Sequence, residues 1–308
     1  MSDSADDAEQ AARLYEYYRE NKKVNKMALK FKKPEVKQQR LKAMFYGEMG
    51  TGKSTCVSQF PNTAYIDTED TTSKKKYAKL ISDNNGQVLA TGDFEEILQQ
   101  VKELMTTKHD FKTLVIDSLT IPYDNLQNDC ERITGNEFGR HVTAANKKMK
   151  LLVNLLLRID MNVLITCQAK KEYGNNMSVI GQTYSCYNRL GYMMDLVFET
   201  QIRGDKHIAV TKKSRIEEFP MNESFSFSYD EVIKRYGAEC IDKAVVTQEL
   251  ATKKQVAEVY RLIDLFKIPE ETYAKWQEKH NAESFEELSG DVIQKIIDHL
   301  LSKIKDEA

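Results

Sequence analysis

The chain has 308 residues, 41% of them hydrophobic and 30% charged, with a formal net charge of −2. That is long enough for one α/β domain of ordinary size plus a smaller appendage, each with an apolar core. No apolar run approaches the roughly 18 residues that a bilayer-spanning helix needs, and residues 1–10 are acidic without an apolar stretch. The sequence therefore reads as neither secreted nor membrane-bound, and a cytoplasmic location is expected. The five cysteines, Cys56, Cys130, Cys167, Cys186 and Cys240, are scattered and contain no C-x-x-C pair. They read as reduced thiols rather than a disulfide or zinc framework.

The near-neutral total conceals an uneven distribution. Nine Lys/Arg residues between 22 and 42 are opposed only by Glu35, and further basic groups gather at 140–150, 170–171 and 212–215. Such a chain can present a basic face to a polyanion, although any one cluster taken alone is a solvated face.

In chain order, residues 8–21 have helical composition, and Met27, Leu29 and Phe31 then alternate with Ala28, Lys30 and Lys32 as in a half-exposed strand. Pro34 ends this arm. Leu41, Ala43, Phe45 and Tyr46 read as a short buried strand. It runs into Gly47-Glu48-Met49-Gly50-Thr51-Gly52-Lys53-Ser54, followed by Thr55. This G-x-x-x-x-G-K-S pattern is a complete phosphate-binding loop. Its glycines let backbone N–H groups turn inward onto phosphate oxygens, Lys53 supplies a cation for the β- and γ-phosphates, and Ser54 is placed to ligate Mg²⁺. Residues 54–60 read as the helix behind the loop.

Strands at 63–67, 113–116, 162–167, 196–201 and 207–210 then alternate with helices at 94–106 and 144–159. This predicts an α/β fold with a mostly parallel sheet covered on both faces. Beyond residue 244 the pattern becomes three helices, 252–266, 269–279 and 289–304, with Thr252 and Ser289 as N-caps. The expected organisation is an arm at 1–40, a nucleotide-binding core at 41–243 and a helical module at 244–308.

Leu114-Val115-Ile116-Asp117 is an apolar strand ending in a carboxylate, placed to hold Mg²⁺ near Ser54. Hydrolysis of a triphosphate also needs a group to polarise the attacking water. Glu69 and Glu131 are the candidates, and Glu69 stands just past a strand end, on the edge where ligands bind. No second acid follows Asp117, because the next residue is Ser118. That favours a glutamate taken from the neighbouring strand.

The order of the phosphate loop, Tyr65-Ile66-Asp67-Thr68-Glu69-Asp70, Leu114–Ser118 and Val163-Leu164-Ile165-Thr166-Cys167-Gln168 resembles RecA-type recombinases. More closely, it is similar to the short RecA-like ATPases that phages encode beside single-strand-annealing functions. The resemblance covers roughly residues 41–230. It implies a RecA-like P-loop core with ATP and Mg²⁺, Glu69 activating water, and Gln168 sensing the γ-phosphate and relaying it to a DNA-binding loop. It further implies that residues 135–140, with Arg140, and a long polar stretch at 169–189 carry the DNA contacts. Lysines and an arginine there, Lys170, Lys171 and Arg189, would meet phosphates, and Tyr173, Tyr184 and Tyr187 would stack on bases. No apolar periodicity marks the 169–189 stretch, so an irregular loop is expected. Lys212, with Lys213 and Arg215 as further candidates, would reach a neighbouring subunit's ATP as an arginine finger does, and Tyr77 lies near where the family stacks adenine.

The implied partners are single-stranded DNA and further copies of the chain in a filament or ring. A single-stranded-DNA-binding protein is a further candidate. The alternative is a regulatory ATPase acting on a protein partner, as helicase loaders do.

Overall fold

The computed structural model describes residues 40–174, 178–243, 250–280, 282 and 284–306. The helix and strand expected within 1–40, and most of its basic run, lie outside the described residues, as does the start of the expected C-terminal module.

Nine strands form one sheet: β1 (Lys42–Gly47), β2 (Thr63–Asp67), β3 (Gln87–Ala90), β4 (Thr113–Asp117), β5 (Asn162–Tyr173), β6 (Val179–Tyr184), β7 (Leu196–Arg203), β8 (Lys206–Ser214) and β9 (Ser224–Ser226). Their order is β3-β2-β4-β5-β1-β7-β8-β9, with β6 paired to the distal half of β5. Every pairing from β3 across to β7 is parallel, and β7-β8-β9 is an antiparallel meander. The fold is therefore α/β with a mostly parallel sheet, as expected.

The central strands are apolar along their whole length because the period of two sends successive side chains into different layers. Leu114, Ile116, Val163 and Ile165 face one side, with α3 (Phe94–Thr106), α4 (Thr120–Thr134) and α5 (Arg140–Arg158). Val115, Leu164, Phe45 and Phe198 face the other, with α1 (Lys53–Val57), β9 and α7 (Tyr229–Tyr236). The remaining helices of this part are α2 (Lys75–Asp83), α6 (Leu190–Met193) and α8 (Ala238–Ile241).

Toward the C-terminus, α9 (Lys253–Leu265), α10 (Glu270–Lys279) and α11 (Gly290–Asp306) enclose their own core of Val259, Leu262, Phe285, Ile293 and Leu300. Thr252 caps α9 in a reciprocal box with Gln255. Trp276 packs, partly buried, against this core. Arg158 at the end of α5 donates to the Glu287 carbonyl, 3.1 Å away.

Three expectations are corrected. The stretch 169–189 is not an irregular loop. The β5 strand runs on to Tyr173 and turns back as β6 in an antiparallel hairpin. Both faces of this hairpin are wet or half-wet, so no alternation of apolar and polar residues marks it in the sequence. The helix expected at 144–159 starts earlier, at Arg140. Tyr187 is 6% exposed and packs in the core, so it offers no face to a base.

Candidate nucleotide site

The phosphate loop joins β1 to α1, and its glycines are required where they stand. Gly52, with φ +93°, lies in the left-handed region. A Cβ on Gly47 would lie 2.3 Å from the carbonyl and hydroxyl oxygens of Thr200 on the adjacent β7. Thr200 in turn braces the loop, its Oγ1 lying 2.8 Å from Thr51 Oγ1 and donating to the Tyr46 carbonyl at 3.1 Å. A Cβ on Gly52 would lie 3.4 Å from the His207 ring.

Lys53 Nζ donates to the carbonyls of Gly47 (2.7 Å) and Glu48 (2.8 Å). Burial lowers its pKa, while the charges of Asp117 and Glu69 pull it back up. The Ser54 hydroxyl makes no hydrogen bond among the described residues, and Met49 at the loop tip is almost fully exposed. Lys76 of α2 donates to Thr55 Oγ1 at 3.1 Å. Glu48, Met49, Gly50 and Thr51 thus form the turn, and Lys53 to Thr55 open the helix.

Asp117, at the end of β4, is 3% exposed. Tyr65 donates to its Oδ2 at 2.6 Å, and Thr166 donates to its Oδ1. Burial, followed by the Asp117 charge, pushes the Tyr65 phenol well above its usual value, so it remains a donor.

The donor set fits a magnesium triphosphate. There is a cation and a turn of N–H groups for phosphate, one free hydroxyl for the metal, and a carboxylate whose oxygens are already bonded and would meet the ion through water. No cluster of three or more His, Cys, Asp or Glu side chains suited to a metal occurs among the described residues. Mg²⁺ held mainly by phosphates and water does not need one.

The remaining site residues come from the neighbouring strand ends. Parallel pairing puts Asp67 beside Asp117 and Gly47 beside Gln168. Glu69 Oε1 accepts two hydrogen bonds, from Ser118 Oγ at 2.6 Å and from Gln168 Nε2 at 2.8 Å. Its neighbour Asp67 is 2% exposed and organises the turn that carries it. Asp67 accepts from the amides of Glu69 (3.1 Å), Thr71 (3.1 Å) and Thr72 (2.7 Å) and from the Thr72 hydroxyl (2.6 Å). Glu131 sits eleven residues into α4, on the order of 16 Å along its axis. The structure does not bring it to the phosphate loop. Tyr77 lies half-buried on α2.

Gln168 is also where β5 leaves the core and becomes the hairpin. Its amide donates to Thr120 Oγ1 (3.0 Å), and its carbonyl accepts from Ser185 at the returning end (2.8 Å). A second contact joins hairpin and loop directly, since Gln182 on β6 donates to the Glu48 carboxylate. On the hairpin Lys170, Lys171 and Tyr173 are exposed, and beyond it Arg189 is exposed too. Tyr184 is half-buried, its hydroxyl tied to the Asn188 carbonyl and the Gly191 amide. Arg140 is exposed at the start of α5, beside Phe138, which is 96% exposed in a left-handed turn (φ +53°). Between hairpin, α6 and β8 opens a cavity of about 710 Å³, lined by Lys170, Glu172, Gln182, Tyr184, Tyr192 and Lys212.

The basic turn at the end of β8 is largely satisfied within the chain. Lys212 pairs with Glu199 at 3.1 Å and Arg215 with Asp195 at 2.8 Å, while the two cationic side chains keep 42% and 55% of their surface exposed. Lys213 is spent on the Gly191, Tyr192 and Met194 carbonyls that end α6, which leaves it no donor for a neighbour's nucleotide.

Asp67 stood in a motif without a role of its own, and Thr200, Gln182 and His207 lay outside the motifs. The only sequence signal for Asp67 was the run Asp-Thr-Glu-Asp-Thr-Thr after a strand, a composition that forms side-chain-to-backbone turns. The others meet the loop through pairing register or hairpin folding, which no local pattern reports.

Fold and site together define a P-loop ATPase. Residues 39–221, more than half of the chain, match the family model AAA_24, described as an AAA domain, and the chain belongs to that family. Among solved structures it is similar to one described as the crystal structure of the RadB recombinase, at 19% identity and a TM-score of 0.41, over 61% of this chain and 87% of that one. No curated protein matches the chain. No helix among the described residues is long and apolar enough to cross a membrane.

Proposed function

We propose that the chain is an ATP-hydrolysing, single-stranded-DNA-binding protein of the RecA-like kind, serving strand annealing or pairing in phage recombination or replication. The observation that carries this reading is the placement of Gln168. One strand, β5, bears Gln168 at the mouth of the phosphate loop, hydrogen-bonded to Glu69, and continues without a break into the exposed, lysine-bearing hairpin.

In this reading Lys53 exchanges the loop carbonyls for β- and γ-phosphate oxygens, and Glu69 accepts a proton from the attacking water. Ser54 and Asp117 are the residues that would hold Mg²⁺, which when bound would neutralise charge on the phosphates. Gln168 turns from Glu69 toward the γ-phosphate, and the hairpin follows because its base is bonded on both sides of Gln168. Lys170, Lys171, Tyr173, Arg189 and Arg140 then contact the strand, phosphates on the cations and bases on the exposed aromatic ring. The cavity between hairpin and β8 gives that strand a groove. Copies of the chain assemble as a filament or ring, with Lys212 or Arg215 of one copy directed at the ATP of the next. A host-cytoplasmic location and cooperation with a single-stranded-DNA-binding protein follow from the same reading.

The test is steady-state ATP turnover with and without single-stranded DNA, in the wild type and in Glu69→Gln. DNA stimulation that disappears in Glu69→Gln supports the reading. Turnover indifferent to DNA removes the recombinase part, and unchanged turnover in Glu69→Gln removes the assigned chemistry.

A further inference from the structure

The residue after Asp117 read in the sequence only as the absence of a second acid. In the structure it is a buried, firmly anchored group at the site. Ser118 is 2% exposed, and the Thr68 hydroxyl brackets its peptide, accepting from its N–H at 2.8 Å and donating to its carbonyl at 2.8 Å. The Thr68 amide donates to the Asp117 carbonyl, and the Leu119 amide to that of Thr166. The Ser118 hydroxyl is thus fixed on the sheet edge, and it donates to Glu69 Oε1 at 2.6 Å, within the range of charge-assisted O–H···O⁻ bonds.

Glu69 itself is exposed, on a long flexible side chain. Its two restraints differ in kind. Gln168 is also exposed and, under the function proposed above, leaves Glu69 for the γ-phosphate. Ser118 is buried and stays. Glu69 Oε2 has no partner among the described residues, so with Oε1 held by a fixed donor the second oxygen is the one left free to accept from water.

We propose that Ser118 is a positioning residue for hydrolysis. Its hydroxyl holds Oε1 of Glu69 so that Oε2 alone is presented to the attacking water, and it keeps doing so once Gln168 has turned away. The inference rests on Glu69 being the base, as proposed above.

The test measures kcat, KM and ADP affinity in Ser118→Ala, Glu69→Gln and the double variant. The expected result for Ser118→Ala is a fall in kcat of about tenfold, as loss of orientation at a reacting group produces. KM and ADP affinity stay within about twofold, because the phosphate loop is untouched. In the Glu69→Gln background the same substitution has no further effect, since the two groups act as one unit. A kcat unchanged by Ser118→Ala, or an equal loss on top of Glu69→Gln, overturns the assignment while leaving Glu69 as base. Full activity of Glu69→Gln overturns both. Should Ser118→Ala not fold, Ser118→Cys, which keeps the volume and loses most of the donor strength, is read the same way. A loss of ADP affinity parallel to kcat would mark a purely structural role and likewise overturns the assignment.

Discussion

Asp67 is the acceptor around which the Glu69 turn is built, and its removal gives a sharp expectation. Three backbone amides and one hydroxyl, at 2.6–3.1 Å, converge on its two oxygens. Hydrogen bonds to a charged acceptor contribute about 1.5–3 kcal/mol each. The turn lies at the surface, however, so in Asp67→Ala water replaces part of what is lost. The net destabilisation expected is about 2–4 kcal/mol, or a fall of roughly 3–6 °C in Tm for a chain of this size. Turnover should fall further than stability alone explains. The Glu69 amide is one of the released donors, and misplacement of a reacting group by about 1 Å costs up to roughly a hundredfold. Asp67→Asn keeps the volume and one acceptor but turns an NH₂ toward donors, so it should fall between Ala and wild type. Urea unfolding and steady-state ATP turnover measure both quantities. A variant Asp67→Ala that loses less than about 0.5 kcal/mol and retains full turnover would refute the reasoning.

Other consequences are more local. Gly47→Ala would drive a methyl into Thr200, whose oxygens lie 2.3 Å from the added carbon, so nucleotide affinity should drop at least about tenfold by calorimetry. Lys42 is 5% exposed and donates to the Leu156, Ile159 and Met161 carbonyls at the end of α5. Burial pulls its amine from 10.5 to about 7, against the raising effect of Asp160 and Asp195. The unfolded chain holds the extra proton between those two values, so stability should rise with pH across that window, by at most on the order of 5 kcal/mol. The gain is complete above 10.5 and lost as pH falls through 7. The rise should be absent in Lys42→Met, as urea midpoints at several pH values will read. Gln182→Ala removes the hairpin's bond to Glu48 and leaves every group assigned to hydrolysis in place. Basal turnover should hold within about twofold while stimulation by single-stranded DNA weakens; equal stimulation would show the contact to be incidental.

What the sequence could disclose follows from range. The phosphate loop, the Thr63–Asp67 strand and α3 are local patterns, a fixed spacing of residue types or one clear periodicity, and they appear where expected. The α2 helix has one buried residue and β3 has a mostly exposed surface, so neither leaves an apolar trace. The hairpin was hidden for the same reason, because a strand wet on both faces looks like a loop. Asp117, Glu69 and Gln168 share a place in the motifs, yet their contacts depend on the strand order β2-β4-β5-β1. That order is a property of the sheet, which no single segment encodes. Tyr187 was misread because aromatic residues in a polar stretch suit both stacking and burial, and only packing decides.

The central claim is that the terminal phosphate, sensed through Gln168, sets how the hairpin meets a strand. The most direct measurement is the affinity for single-stranded DNA with a non-hydrolysable ATP analogue and with ADP, in the wild type and in Gln168→Ala. Binding should be tighter with the analogue, by about tenfold or more, and the difference should vanish in Gln168→Ala. Equal affinity in both nucleotide states of the wild type, or a difference that survives the substitution, would contradict it.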